Sequence, residues 1–314
     1  MTMPTTDLTI LVPVYNSAAS LPALVARLEA VLPSLGRRAE LLLVNDGSRD
    51  RSWAVITELA ASRPWLRGIN LMRNYGQHNA LLCGVRAAAG AVIVTLDDDL
   101  QNPPEEIPRL LQKLDEGFDV VYGTPQQERH GLLRDLASRI TKLTLQHAMG
   151  AETAGAVSAF RAFRTCLRDA FARYEGPFVS LDVLLTWGTQ RFTALRVRHE
   201  ARHAGASQYT LARLLAHAFN MLTGYSVVPL QLASWIGFVF TVFGLGILVV
   251  VLGRYFWQGV VVPGFAFLAS IIAIFAGAQL TALGIIGEYL ARMHYRVMDK
   301  PSYTVRDTTP GGGA

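Results

Sequence analysis

Between Leu214 and Gly287 the chain runs for 74 residues with one charged side chain, Arg254. The other 240 residues carry 52 Asp, Glu, Lys and Arg, about 22%, the share of an ordinary water-soluble domain. This division excludes a disordered chain, a fibre and a small disulfide-stapled scaffold. About three quarters of the sequence suits water and the rest suits lipid.

Two spans stand out in the uncharged stretch, at 230–252 and 264–287, each longer than the roughly 20 residues that cross a bilayer. A buried helical hairpin of a soluble protein is the competing reading. Arg254, Tyr255 and Trp257 mark a short connection with aromatics suited to the membrane interface. Arg292, Arg296 and Lys300 follow the second span, so the positive-inside rule places both termini in the cytosol. The first apolar run, Leu8 to Val14, is short and preceded by Asp7, unlike a secretory signal. Residues 208–224 read as a helix lying in the interface, with Arg213 and His217. The expected organisation is a cytosolic catalytic domain over 1–207, an interfacial helix over 208–228, a two-helix anchor over 229–290 and a cytosolic tail over 291–314, its last residues, 310–314, disordered.

In the first part, apolar runs alternate with helical spacing. Strands are expected at 8–14, 40–45, 66–71, 91–96 and 118–122, and another at 192–199. Helices are expected at 21–32, 51–62, 78–89, 104–116 and 130–149. This alternation predicts an α/β fold with a mostly parallel, doubly wound sheet. Such sheets bind ligands at the carboxyl ends of their strands, where Tyr15-Asn16, Asn45-Asp46 and Asp97-Asp98-Asp99 all fall. The net charge of +5 fits an anionic membrane surface or anionic substrate. No dense basic run with interleaved aromatics points to nucleic acid. Cys83 and Cys166 lack metal or disulfide spacing and read as buried thiols.

Asp97-Asp98-Asp99 carries the strongest chemical signal. Adjacent carboxylates repel unless a cation neutralises them. Magnesium is held by one or two carboxylates together with substrate phosphates. The triplet therefore suits a metal–diphosphate complex, against the plainer reading of a solvated acidic turn. Asp46 is an acceptor suited to a base or ribose. His78 reads as a structural hydrogen-bonding residue, and Glu288 as a cap or ion-pair partner at the interface. Arg73 to His78 has no mechanism legible from its spacing.

The segments LVPVYN (11–16), VNDGSRD (44–50), RNYGQHNALLCG (73–84) and TLDDDLQNPPEEIPRL (95–110) resemble family 2 glycosyltransferases of the GT-A fold. Within these, the chain is similar to the polyprenyl-phosphate glycosyltransferases, including the undecaprenyl-phosphate formamido-arabinose transferases and the dolichol-phosphate mannose synthases. ARHAGASQY (201–209) and GIIGEYLAR (284–292) extend the likeness over residues 8 to 304. The resemblance implies a GT-A sheet with helices on both faces, followed by an interfacial helix and two membrane helices. It implies that Pro13, Tyr15, Ser17 and Asp46, with Asp97 and Asp98, hold the nucleotide sugar, and that Asp99 and Gln101 hold Mg²⁺ or Mn²⁺. Asp97, Asp99, Arg161 and Arg202 would be catalytic. Arg134, Arg139, Arg202 and Ser207 would meet the acceptor phosphate, the first two competing with a basic face on lipid head groups.

The sequence departs from the family at four places. Ser17 stands where Glu is common, Asp98 where Ala is usual, and Gln208 where Lys is usual. No Asp precedes Phe160-Arg161, where relatives carry a proposed base; Glu152 is the nearest acid. A phosphate acceptor is already anionic and needs positioning more than deprotonation. The expected activity is metal-dependent transfer of a sugar, from a UDP-sugar, to undecaprenyl phosphate at the cytosolic face of a bacterial plasma membrane. The partners are that donor, the lipid acceptor and the membrane; a homo-oligomer stays open. The alternatives are an inactive membrane scaffold that binds nucleotide sugar and a transferase for another lipid acceptor. A processive polysaccharide synthase would carry Q-x-x-R-W, which this sequence lacks.

Overall fold

The computed structural model describes residues 6–125, 156–176, 179–200, 228–258, 264–298 and 300–309. Seven consecutive buried residues make Leu8–Val14 strand β1. Side chains alternate across a strand. Leu8, Ile10, Val12 and Val14 therefore join the core beneath helices α1 (Leu21–Val31), α2 (Ser52–Ala61) and α4 (Ile107–Asp115). Leu11 points the other way, towards α3 (Gln77–Ala87); a Cβ on Gly84 of α3 would lie 2.1 Å from the Leu11 side chain. The helices therefore pack on both faces of the sheet, and a continuous apolar run is what a strand buried on two faces requires.

Strands β2 (Ala39–Asn45), β3 (Leu66–Leu71) and β4 (Val92–Thr95) complete a parallel group in the order β4-β1-β2-β3. Beyond β4 lie β6 (Arg161–Arg164), antiparallel to it, then β5 (Val120–Pro125) and β7 (Phe192–Val197). On the other edge, β8 (Val305–Thr308) runs antiparallel to β3. This is the expected mostly parallel sheet, mixed at its edges and flanked by helices. A short helix α5 (Leu181–Thr186) precedes β7.

Several expectations are revised. The helix expected from 104 begins as a 3₁₀ turn, Pro104–Glu106, before α4. Pro108 has no N–H to donate to residue 104, so the first turn tightens. Strand β5 starts at Val120 and runs on to Pro125, where it pairs with β7. Residues 305–308 are a sheet strand rather than free tail; Thr309 N donates to Gly68 O (2.9 Å) and Met72 N to Thr304 O (2.9 Å). Cys83 is buried, with its thiol pushed up to about 12 chiefly by that burial, but Cys166 is exposed. The helix expected at 130–149, the interfacial helix at 208–224 and residues 310–314 lie outside the described residues.

The chain forms two compact units, and the residues after the second long helix belong with the sheet. The other unit contains α6 (Val228–Gln258) and α7 (Phe265–Val297). Within it, Phe240 and Phe275 meet edge to face at 5.4 Å. Both helices are long and apolar enough to cross a membrane, with mean hydropathy 1.8 over Pro229–Ile247 and 1.4 over Ile274–Ala291. Almost none of either window is buried, whereas the core helix of a soluble protein would be covered. Leu232, Phe238, Phe243 and Leu280 stand open along them.

Candidate active site

The carboxyl ends of β1, β2, β3 and β4 share one edge of the sheet, and the polar loops that follow them form the site. After β4 comes Asp97-Asp98-Asp99. Leu100 then adopts a left-handed backbone, φ 62°, which a non-glycine residue rarely takes. Its side chain is buried in the core, which holds the turn in that conformation.

The three carboxylates face different partners. Asp97 Oδ1 accepts from Gln77 Nε2 (2.7 Å). Asp98 Oδ2 accepts from Tyr15 N (3.3 Å), so this carboxylate turns to the β1 loop. Asp99 Oδ1 accepts from Gln101 N (3.1 Å). Burial, and then the charges of Asp99 and Asp98, push the Asp97 carboxyl up to about 6 against the pull of Arg161 and Gln77. Burial also raises Asp98, against hydrogen bonds from Ser17 and Tyr15. A half-buried carboxylate with a raised pKa is a site that gains from a cation. Among the described residues no three His, Cys, Asp or Glu side chains converge as a ready metal cage. The residues fit a hard cation that draws its remaining ligands from phosphate and water.

Asp46, after β2, is buried and accepts from Tyr75 N (2.7 Å) and Gly76 N (2.8 Å). Burial raises its carboxyl, opposed by these two amides. Gly47 follows with φ 62°, and a Cβ there would lie 2.3 Å from the Arg73 carbonyl carbon. The two loops close together only because residue 47 lacks a side chain.

The Arg73–His78 motif thereby acquires a mechanism. Its amides hold Asp46, its Gln77 holds Asp97, and His78 Nδ1 accepts from Leu181 N (3.3 Å). Arg73 lies over the Tyr75 ring at 4.5 Å. The motif is a brace between two carboxylates, formed at the start of α3 where Gly76 takes φ 96°. The cue in the sequence was the glycine just ahead of a helix.

Of the other expected site residues, Tyr15 is exposed and Ser17 half-exposed on the β1 loop, while Pro13 is buried inside β1 opposite Val44. Gln101 lies in the turn after Asp99, and its carbonyl accepts from Glu200 N (2.9 Å). Glu200 also pairs with Arg27 (2.9 Å). Arg202, Ser207 and Gln208 lie just beyond it, outside the described residues, as do Arg134, Arg139 and Glu152.

Arg161 is buried and ion-paired with Asp182, and its Nε donates to Thr95 Oγ1 (3.1 Å). Tyr122 also donates to Asp182 (3.0 Å). A guanidinium so committed does not reach out to an acceptor; its charge favours the ionised form of Asp97. Arg161 thus lies below the carboxylates, held by Asp182 and Thr95. Asp182, unnoticed in the sequence, is its counter-ion.

The site is an apolar-cored sheet with carboxylates at one strand edge and a buried basic charge paired below them. The chain belongs to glycosyl transferase family 2, whose family model matches residues 9–172, and it is a glycosyltransferase. It is 35% identical to the undecaprenyl-phosphate 4-deoxy-4-formamido-L-arabinose transferase of Klebsiella pneumoniae over 96% of this chain and 94% of that one. The enzyme of the same description from Salmonella enteritidis is 36% identical with the same coverage. A similar solved structure is glucosyl-3-phosphoglycerate synthase from Mycobacterium tuberculosis, in complex with Mn²⁺, UDP-glucose and phosphoglyceric acid. That similarity has 16% identity, a TM-score of 0.48, and covers 70% of this chain and 78% of the other.

Proposed function

We propose that this glycosyltransferase moves a sugar from a nucleotide sugar, a UDP-sugar, to undecaprenyl phosphate at the cytosolic face of the membrane. The observation that carries the reading is the carboxylate turn Asp97–Asp99, strand-end and charge-strained, opposite Asp46 on the same sheet edge. Identity of 35% across 96% of the chain with enzymes that act on undecaprenyl phosphate supports the acceptor. The two exposed apolar helices support a protein that resides where that acceptor resides.

In this reading Tyr15, Ser17 and Asp46 receive the base and ribose, with Pro13 shaping the β1 loop from within the strand. Asp98 holds that loop against the metal turn. Asp97 and Asp99, with Gln101, would hold Mg²⁺ or Mn²⁺. When bound, the cation supplies charge neutralisation on the departing nucleoside diphosphate. Arg161 keeps Asp97 ionised from below. The acceptor phosphate is the nucleophile: its oxygen forms the bond to the anomeric carbon as the bond to the diphosphate breaks. No base is required for an oxygen that is already anionic, which accounts for an active enzyme without an Asp before Phe160. Arg202 and Ser207, with Arg134 and Arg139, are proposed to shield the acceptor charge.

The test is a donor panel. The purified protein is incubated with undecaprenyl phosphate, Mn²⁺ or Mg²⁺, and labelled UDP-sugars in turn. Label entering the organic phase with one donor supports the reading. No lipid-linked label with any donor and either metal overturns it.

A further inference from the structure

We propose that Asp307, on the edge strand that follows the second long helix, is a positioning residue for the donor loop at Tyr15–Ser17, acting through a one-way chain of hydrogen bonds. Asn70 Nδ2 donates to Asp307 Oδ2 (3.3 Å). Asn45 Nδ2 donates to Asn70 Oδ1 (2.8 Å). Ser48 Oγ donates to Asn45 Oδ1 (2.5 Å). Asn16 N, in the donor loop, donates to Ser48 Oγ (2.9 Å).

The direction of this chain follows from its end. A carboxylate only accepts, whereas an amide side chain and a hydroxyl can each do both. Asp307 obliges Asn70 to present its NH₂ outward and its oxygen inward. That oxygen selects the NH₂ of Asn45, whose own oxygen then takes the Ser48 hydroxyl proton. The Ser48 lone pairs are left facing Asn16 N. Asn45 and Asn70 are buried, so water does not substitute for a link lost between them, whereas Asp307 itself stands exposed at the edge. Without the anion at its end, both amides can reverse and turn a donor towards the Ser48 hydroxyl.

The geometry at the far end matches this role. Asn16 holds a left-handed backbone, φ 55°, and its Oδ1 accepts from Arg49 N (2.8 Å), so the loop is pinned on both sides of the 48–49 turn. The strand carrying Asp307 is docked independently: Met72 N donates to Thr304 O, Thr309 N to Gly68 O, and Gly68 N to Thr309 Oγ1 (2.8 Å). Removing one carboxylate therefore leaves the strand in place. Donor binding and the residues after the membrane-type helices are joined by side-chain chemistry, a link that rests on the donor-loop reading above.

The experiment uses the full chain in detergent and measures two things. The first is the Kd for UDP with Mn²⁺. One hydrogen bond's worth of loop order is a factor of about three to ten, and Asp307→Ala is expected to weaken UDP by that factor, with Asp307→Glu restoring part of it. Ser48→Ala is expected to weaken UDP similarly, and the double variant no more than either single change. The second is hydrogen exchange of the segment 15–18 without nucleotide, expected to quicken in Asp307→Ala while 66–71 keeps its protection. Unchanged exchange at 15–18, or effects on Kd that multiply in the double variant, overturn the relay. A wild-type chain that binds no UDP, with exchange at 15–18 still responding to Asp307→Ala, overturns the donor-loop reading instead.

Discussion

Asp97 carries a cost that can be measured directly. Its carboxyl sits at about 6 in the folded chain against an ordinary 3.8. A folded-state pKa above the unfolded one means that ionisation weakens folding. The stability is complete below about pH 4, falls as the pH rises from there to about 6, and is flat beyond. Two pKa units correspond to about 3 kcal/mol, and water at a half-buried group reduces this to about 1–3 kcal/mol. Asp97→Asn keeps an oxygen for Gln77 and removes the charge. In EDTA at pH 8 the variant should therefore melt higher than wild type, by about 2–4 °C for each kcal/mol in a domain of this size. The gap should shrink towards pH 4. Adding Mn²⁺ should raise the wild-type midpoint and leave the variant unmoved, while the variant loses transferase activity. Differential scanning fluorimetry across that pH range reads all of this. A variant no more stable than wild type in EDTA at pH 8 would refute the argument that burial and neighbouring carboxylates strain Asp97.

Three other perturbations follow from the same geometry. Asp182→Ala strands the buried Arg161 charge and should cost about 3–5 kcal/mol in chemical denaturation, whereas Arg161→Met with Asp182→Leu should cost much less. Gly47→Ala places a methyl against the Arg73 backbone at a positive φ; it should lower stability by about 1–3 kcal/mol and raise the donor KM. Asp46→Ala leaves Tyr75 N and Gly76 N without their acceptor; the loss of about 1–3 kcal/mol per stranded group should appear as a raised KM for the donor.

The parallel half of the sheet was legible because strands buried on two faces must be nearly continuous apolar runs, as in 8–14 and 91–96. The carboxylates were legible because acids rarely crowd at a strand end. Strand β6 was not, since it opens with Arg161, a charge whose counter-ion Asp182 is 21 residues away and visible only when folded. Strand β8 was not, because an edge strand reading Val-Arg-Asp-Thr, exposed throughout, shows no alternation. The bracing role of Arg73–His78 and the Asn45–Asn70 pair depend on which strands are neighbours, which no local pattern encodes.

The central claim is that carboxylates at this strand edge drive sugar transfer to a lipid phosphate, and one comparison tests it most directly. Wild type and Asp99→Ala are assayed side by side for Mn²⁺-dependent transfer of label from the accepted UDP-sugar to undecaprenyl phosphate. The account predicts a lipid-linked product that disappears with EDTA and falls at least 100-fold in the variant, about 2.7 kcal/mol of lost transition-state stabilisation. Full activity of Asp99→Ala, or wild-type transfer indifferent to EDTA, would contradict it.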